Sequence, residues 1–517
     1  MTGLKISLYD TGAPPACPAP FNMVRHTLFH DGAKDAKVAL EVLATPGEVA
    51  ESWTYGELRT AVLSTASGLS DMGIGRGDRV VIRIGHRIEF PILFFALQAV
   101  GAVPVPISPM LTPHELAAIV ADVEPACLCV DETTGDAGAG REKELTLADL
   151  AAMRGLPPAV IAETDPNDTA LVVYTSGTGG RPKGVEHAHR AAWARRMMWA
   201  NWYGLTPGDR VLHAGAFNWT FTLGAGLSDP WAAGATALIY TGSPDPGVWA
   251  MLAMQHGATI FAAVPGVYRQ LLNSDTDCRA GFSGLRHGIT AGEALPAGLL
   301  ARWTEATGKP LFEAYGMSEI STFVSSGPDT PVRPGSAGRP QHGRRVAILP
   351  EDGGEAPVPA GTPGLIAIWR RDPGLMKGYW RQPEATSAAC RGEWFVSSDR
   401  AVMDADGYIF HLGRADEVMN AQGYRVSPQE VEQIIRKFDG IEDCAVAEVA
   451  VRRDVNVVGA FFVGDPGVDE DALTKHCQTF LAAYKCPRIV RRVDALPRNA
   501  NGKLMRRELT KSFSVKA

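Results

Sequence analysis

Cysteine is scarce. Eight are scattered over 517 residues and no Cys-x-x-Cys occurs. That spacing argues against a thiolate metal site and predicts a reduced, cytoplasmic chain. Charge of one sign is not in large excess: 50 Lys and Arg against 57 Asp and Glu give a net charge of −7. This leaves no case for nucleic-acid binding as the main task. Uninterrupted apolar runs are missing too. The longest, Phe90 to Ile107, is broken by Pro91, Gln98, Gly101, Pro104 and Pro106. It predicts a buried helix followed by a buried strand, not a membrane span. The opening residues show no charged, apolar and small-residue succession, so no signal peptide is expected. Internal repeats and low-complexity segments are also absent from the sequence.

What remains is an ordinary globular composition, 45% apolar and 21% charged. The length suits one large domain plus a small one, or several domain-sized units. In the first half, helical and buried-strand patterns alternate. Thr54-Tyr55-Gly56-Glu57 and Thr112-Pro113-His114-Glu115 are capping boxes, each opening a helix. Arg79 to Ile84 and Val103 to Ile107 are short strands. The rhythm returns at Ala258 to Val264, Leu285 to Thr290 and Pro310 to Tyr315. Such a succession predicts an α/β fold of parallel sheets covered by helices, with ligands at strand C-termini. After about Pro331, proline, glycine and short strands predict a β-rich subdomain (residues 331–415). From residue 416 a compact α+β unit follows, with helices over Pro428 to Phe438 and Asp469 to Ala483.

Tyr174 to Val185 is the most informative stretch, reading Tyr-Thr-Ser-Gly-Thr-Gly-Gly-Arg-Pro-Lys-Gly-Val. Three hydroxyls, four glycines and two cations follow the apolar run Ala170 to Val173. Backbone N–H groups, hydroxyls and positive charge at a strand end suit an anion, most simply a nucleotide polyphosphate. A Walker A loop is excluded, because Gly-Lys followed by Ser or Thr is required there and Pro182-Lys183-Gly184 stands here. A glycine-rich surface loop without function is the plain alternative.

Together, Tyr174–Val185, Ala291–Pro296, Tyr315–Glu319, Trp394–Asp399, Gly413–Glu430 and Leu496–Lys503 resemble, in order, the motifs of the adenylate-forming superfamily. That superfamily includes acyl-CoA synthetases, firefly luciferase and peptide-synthetase adenylation domains. The likeness runs from about Trp53 to Leu509. Within the superfamily the chain is most similar to stand-alone acyl- and aryl-CoA ligases, including the benzoate-CoA ligase group, to which Ala214–Pro230 points. The resemblance implies a large N-terminal domain (1–415) of two helix-covered sheets plus the β-rich subdomain, and a small mobile C-terminal domain (416–517) hinged at Asp416. It implies an ATP-dependent acyl-CoA synthetase that uses Mg²⁺ and coenzyme A.

By the same resemblance, Thr175, Ser176, Gly177, Thr178 and Gly179 hold the β- and γ-phosphates. Lys183 either adds charge there or braces the loop. Gly292, Glu293 and Ala294 run along the adenine, with Tyr315, Gly316 and Met317 beside it. Glu319 is the Mg²⁺ carboxylate. Ser318, where the family usually has threonine, reaches the α-phosphate. A helix N-cap pair is the plain structural reading of Ser318-Glu319, and the two readings can hold together. Asp399 binds the ribose hydroxyls although Ser397-Ser398 replaces the usual Thr-Gly, and Arg414 completes those contacts. Lys503 is the adenylation lysine, and the Gly423 segment lines a pantetheine tunnel after domain rotation. Lys485, Arg488, Arg491, Arg492, Arg498, Arg506 and Arg507 surround Lys503 in a basic tail that faces the phosphates of CoA or is simply solvated. His187 and His189, without a third ligand in view, predict packing and loop-bracing groups.

Trp219, Phe221, Gly292, Met317, Ile320 and Ser321 are the expected liners of the acid pocket. No lysine or arginine stands among them, which argues against a second carboxylate on the substrate. Apolar walls favour an aromatic, alicyclic or short-to-medium aliphatic acid. Two other functions stay open at this point: an adenylase that loads a carrier protein, and a degenerate nucleotide-binding protein. A homodimer is left open as well.

Overall fold

Runs of β-branched residues in the first half form strands, and the segments with helical spacing pack over them. The computed structural model describes residues 5–131, 144–175, 183–243, 245–415, 419–421, 424–452, 455–481, 483, 485–498 and 504–513. Two units separate by internal packing. One comprises Tyr9–Val346 and Ile368–Phe395; the other comprises Met1–Leu8, Ala347–Ala367 and Val396–Ala517.

The larger unit is built on a nine-stranded sheet. Its spatial order is Arg339–Pro340, Ser321–Ser325, Leu311–Met317, His287–Ala291, Ile260–Ala262, Arg210–His213, Thr236–Tyr240, Val38–Thr45, Glu48–Thr54. From Leu311–Met317 through Val38–Thr45 the pairing is parallel. The outer strands are antiparallel, so the sheet is mixed where the βα rhythm alone predicts parallel. A second, wholly parallel sheet orders Val103–Pro106, Arg79–Arg83, Cys127–Val130, Glu144–Leu145. A third, antiparallel, joins Gly378–Tyr379, Lys183–Ala188 and Thr169–Thr175.

Local chemistry explains the helices. Thr54 accepts from the Glu57 backbone N–H, and the Glu57 carboxylate accepts from that of Thr54 at 2.8 Å. The same reciprocal box opens the helix Pro113–Val123, and a third, Thr146 with Asp149, starts Leu147–Met153. Each cap is worth about 0.5–2 kcal/mol. The helix Tyr55–Asp71 buries Leu58, Val62, Ala66 and Leu69 on one face. By contrast, Glu89–Ala99 is buried on every residue but the first. A helix apolar all round belongs inside a core.

In the smaller unit the hairpin Ile441–Arg452 and Val455–Gly464 gains a parallel third strand, Ile489–Arg492. The helices Pro428–Ile435 and Glu470–Phe480 pack on it, around Val431, Ile435, Val446, Val458, Phe462 and Leu473. Fully burying side chains of this size contributes about 1.5–3 kcal/mol each. The expected short strands appear as Gly364–Trp369, Trp394–Met403 and Ile409–Arg414. Among the described residues no helix is long and apolar enough to cross a membrane.

Candidate active site

Two neighbouring parallel strands, His287–Ala291 and Leu311–Met317, end at the same edge, with Ala291 opposite Ala314. Gly292 follows with φ +93, a left-handed turn that glycine takes without strain. Under the next residues lies Glu313, buried on its strand. Its Oε1 accepts the Leu295 backbone N–H at 2.9 Å. Burial pushes the Glu313 carboxyl up to about 7, with that single N–H pulling the other way. Tyr315 stays half-buried, its ring edge-on to Phe323 at 5.4 Å.

The strand does not stop at Tyr315. It runs to Met317, turns through Ser318, Glu319 and Ile320, and returns antiparallel as Ser321–Ser325. The helix N-cap reading of Ser318-Glu319 is therefore corrected: the pair sits in a hairpin turn, because Met317 pairs across it with Ser321. A Cβ at Gly316 would stand 2.2 Å from the Ser321 carbonyl oxygen, so only glycine fits there. Ser321 itself has φ +69. Its hydroxyl accepts from Arg195 Nη1 at 2.7 Å.

Three elements grip this turn. His187 Nε2 lies 2.7 Å from the Ser318 carbonyl, and since a carbonyl only accepts, that nitrogen carries the proton. Burial drives the His187 pKa down to about 4, so the ring is neutral. The Met376 N–H donates to the Glu319 carbonyl at 2.7 Å, and the Tyr379 hydroxyl donates to Glu319 Oε1 at 2.8 Å. Lys183 Nζ sits 4.9 Å from the centre of the Tyr379 ring, a cation–π contact. Thr175 and Lys183 are the last paired residues of their hairpin. Ser176, Gly177, Thr178 and Gly179 lie between them, outside the described residues. Lys183, Ser318 and Glu319, distant in sequence, thus belong to one connected group. His189 accepts the Met23 N–H at Nδ1, 3.2 Å away. Tyr379 has no signal in the sequence: it occupies a two-residue strand, and only its pairing opposite Val185 puts it here.

A divalent cation fits this group only with help. Among the described residues no set of three His, Cys, Asp or Glu side chains gathers. Glu319 is half-exposed on its turn, oriented through one carboxylate oxygen. One carboxylate suits a magnesium ion that draws its other ligands from phosphates and water.

The expected acid wall divides. Phe217, two residues ahead of that wall, is fully buried in the main core, its N–H donating to His86 Nδ1 at 3.0 Å. Trp219 and Phe221 remain half-buried and meet edge to face at 5.3 Å. Ile320 is almost wholly buried. Beside Ser321 an arginine does occur, one the sequence reading missed. Arg195 is bonded to Asp229 through Nε at 2.7 Å and Nη2 at 2.6 Å, and the Tyr203 hydroxyl adds a bond to Asp229 at 2.8 Å. Its charge is thereby matched inside the protein.

In the smaller unit Asp399 and Arg414 are cross-strand partners. His411 Nε2 lies 3.1 Å from Asp399 Oδ1, and Arg414 Nη2 donates to Ser398 Oγ at 2.8 Å. The basic tail is less solvated than its composition suggests: Lys485 pairs with Glu430, Arg491 with Glu470, Arg498 with Asp443 and Arg506 with Glu432. Asp416, Gly423 and Lys503 lie outside the described residues.

The sequence and the fold each match known proteins. Residues 32–380 match the family model of the AMP-binding enzymes, and residues 430–503 match that of the AMP-binding enzyme C-terminal domain. The chain is 34% identical over 491 residues to a 3-hydroxybenzoate–CoA ligase of Aromatoleum sp. (strain CIB), covering 90% of this chain and 92% of that protein. It is 32% identical to a benzoate–CoA ligase of Thauera aromatica, covering 89% and 91%. Among solved structures, ATP-bound MatB from Rhodopseudomonas palustris superposes with a TM-score of 0.87 at 28% identity, covering 95% of this chain and 98% of that one. The anthranilate CoA ligase AuaEII in complex with anthranoyl-AMP gives 0.85 at 28%, covering 96% and 98%.

Proposed function

The chain belongs to the AMP-binding enzyme family, and on that premise we propose that it is an acid–thiol ligase that activates an aromatic carboxylic acid as its acyl-adenylate and passes the acyl group to coenzyme A. The observation that carries this reading is the succession of both matched regions, 32–380 and 430–503, in one chain. Full-length relatives named as aryl-CoA ligases support the aromatic acid and the CoA acceptor over a carrier protein.

The chemistry needs little covalent work from the protein. A carboxylate is a poor acyl donor because its leaving group would be oxide. Its attack on the α-phosphate of ATP breaks the bond to the β-phosphate bridge and releases pyrophosphate. The CoA thiolate then attacks the acyl carbon, and AMP leaves. The protein must align two anions and neutralise charge. In this reading Thr175, Ser176, Gly177, Thr178 and Gly179 hold the phosphates, and Lys183 braces their loop through Tyr379. Gly292, Glu293, Ala294 and Tyr315 bind the base, while Asp399 and Arg414 bind the ribose. Ser318 reaches the α-phosphate. Glu319 would hold Mg²⁺, which when bound offsets phosphate charge. Lys503 bridges the incoming carboxylate and the α-phosphate. The domain hinge at Asp416 and the Gly423 segment belong to the second half-reaction.

The test is a panel of carboxylic acids with ATP and CoA, read by pyrophosphate release and product mass. Thioester formation with an aromatic acid is expected. No pyrophosphate release with any acid would overturn the reading, and release without a CoA thioester would redirect it to a carrier-loading adenylase.

A further inference from the structure

Among the described residues only three besides glycine have positive φ: Glu124, Ser321 and Arg381. Glu124 closes a helix, where a left-handed residue is ordinary. Ser321, at φ +69, instead closes the turn that carries Ser318 and Glu319. A serine keeps such a conformation only where its surroundings impose it. Two contacts from one helical segment do so. Arg195 Nη1 donates to Ser321 Oγ at 2.7 Å, and three residues further along, the Met198 sulfur accepts the hydroxyl of Thr322. The guanidinium cannot shift alone, because it is a rigid planar fork whose Nε and Nη2 both bond Asp229. Asp229 directly follows the segment Thr222–Ser228, which begins after Phe221. A Cβ at Gly224 in that segment would stand 2.6 Å from Arg195 Nη2, so the glycine keeps the guanidinium's place open. One side chain thus joins the segment behind the expected acid wall to the turn that carries Glu319.

A buried ion pair is weak evidence of stability, since apolar residues of like volume often serve a fold as well. The bond to Ser321 is what an apolar pair could not supply. We propose that Arg195 is a positioning residue for adenylation: fixed on Asp229, it holds the Ser321 backbone left-handed and so aims Ser318 and Glu319. The inference deepens the function proposed above and rests on the roles given there to Ser318 and Glu319.

Deleting the Arg195 side chain strands Asp229 without its partner and threatens the fold, so the test is placed at Ser321. Ser321→Ala removes the hydroxyl and leaves the Arg195–Asp229 pair intact. Pyrophosphate release at saturating acid should fall about tenfold, because small misplacements around reacting atoms are costly. The magnesium concentration giving half the maximal rate should rise. Ser321→Asn, which tolerates the left-handed region and brings an amide oxygen to accept from Arg195, should restore both toward the unaltered values. In Arg195→Lys, which keeps the charge and loses the fork, adding Ser321→Ala should cost little more, since the clamp is already gone. A merely structural role would move the denaturation midpoint and leave the magnesium titration in place. An unchanged rate and magnesium titration in Ser321→Ala would overturn the proposal. So would an asparagine variant no better than alanine, or full additivity with Arg195→Lys. Pyrophosphate release by the unaltered enzyme tests the underlying function, and the ratios among variants test the inference, so the two fail separately.

Discussion

Replacing Glu313 with glutamine should flatten the dependence of stability on pH. The residue is buried, and burial raises the carboxyl pKa from an ordinary 4.5 to about 7. A raised folded-state pKa means that the fold prefers the protonated acid. Its contribution is fully present below 4.5, falls away as the pH rises to about 7, and is constant beyond. At about 1.4 kcal/mol per pKa unit, the loss across that window is about 3 kcal/mol. Glutamine is neutral throughout and keeps an oxygen for the Leu295 N–H. Glu313→Gln should therefore gain on the unaltered protein as the pH rises, by up to about 3 kcal/mol at alkaline pH. Denaturant titrations of both proteins at several pH values from about 5 to 8 measure the difference, and the subtraction cancels the other titrating groups. Parallel pH profiles would refute the reasoning. They would mean that Glu313 titrates in the folded protein as it does in the unfolded chain.

Further perturbations address the chemistry and the core. Tyr379→Phe removes one hydrogen bond to Glu319 and should weaken magnesium-dependent pyrophosphate release about five- to tenfold, the equivalent of about 1 kcal/mol; an unchanged magnesium titration would count against the link. Lys503→Ala should abolish acyl-AMP formation while thioester formation from supplied acyl-AMP persists, and equal loss of both half-reactions would refute its assigned role. Asp229→Ala leaves the Arg195 guanidinium buried without its carboxylate and should cost about 3–5 kcal/mol; a denaturation midpoint near that of the unaltered protein would show the charge to be relieved by other means.

Much of this molecule is written in local chemistry. The capping boxes at Thr54 and Thr112, the buried helix over Glu89–Ala99 and the strand at Cys127 each follow from a few adjacent residues. So does the ordered series of motifs, because loops that meet phosphates need particular residues in particular succession. The sequence could not choose between a helix start and a hairpin at Ser318-Glu319, since both tolerate the same two residues. The return strand decided it, by pairing Ser321 with Met317. Nor could it find Tyr379 or Arg195. Their significance depends on partners between 34 and 196 residues away in sequence. Sequence by itself determined the kind of reaction, through residues that act in short contiguous runs. Only the tertiary structure decided how the Glu319 carboxylate is held and how the Arg195 charge is matched, because burial and pairing are properties of the packed chain.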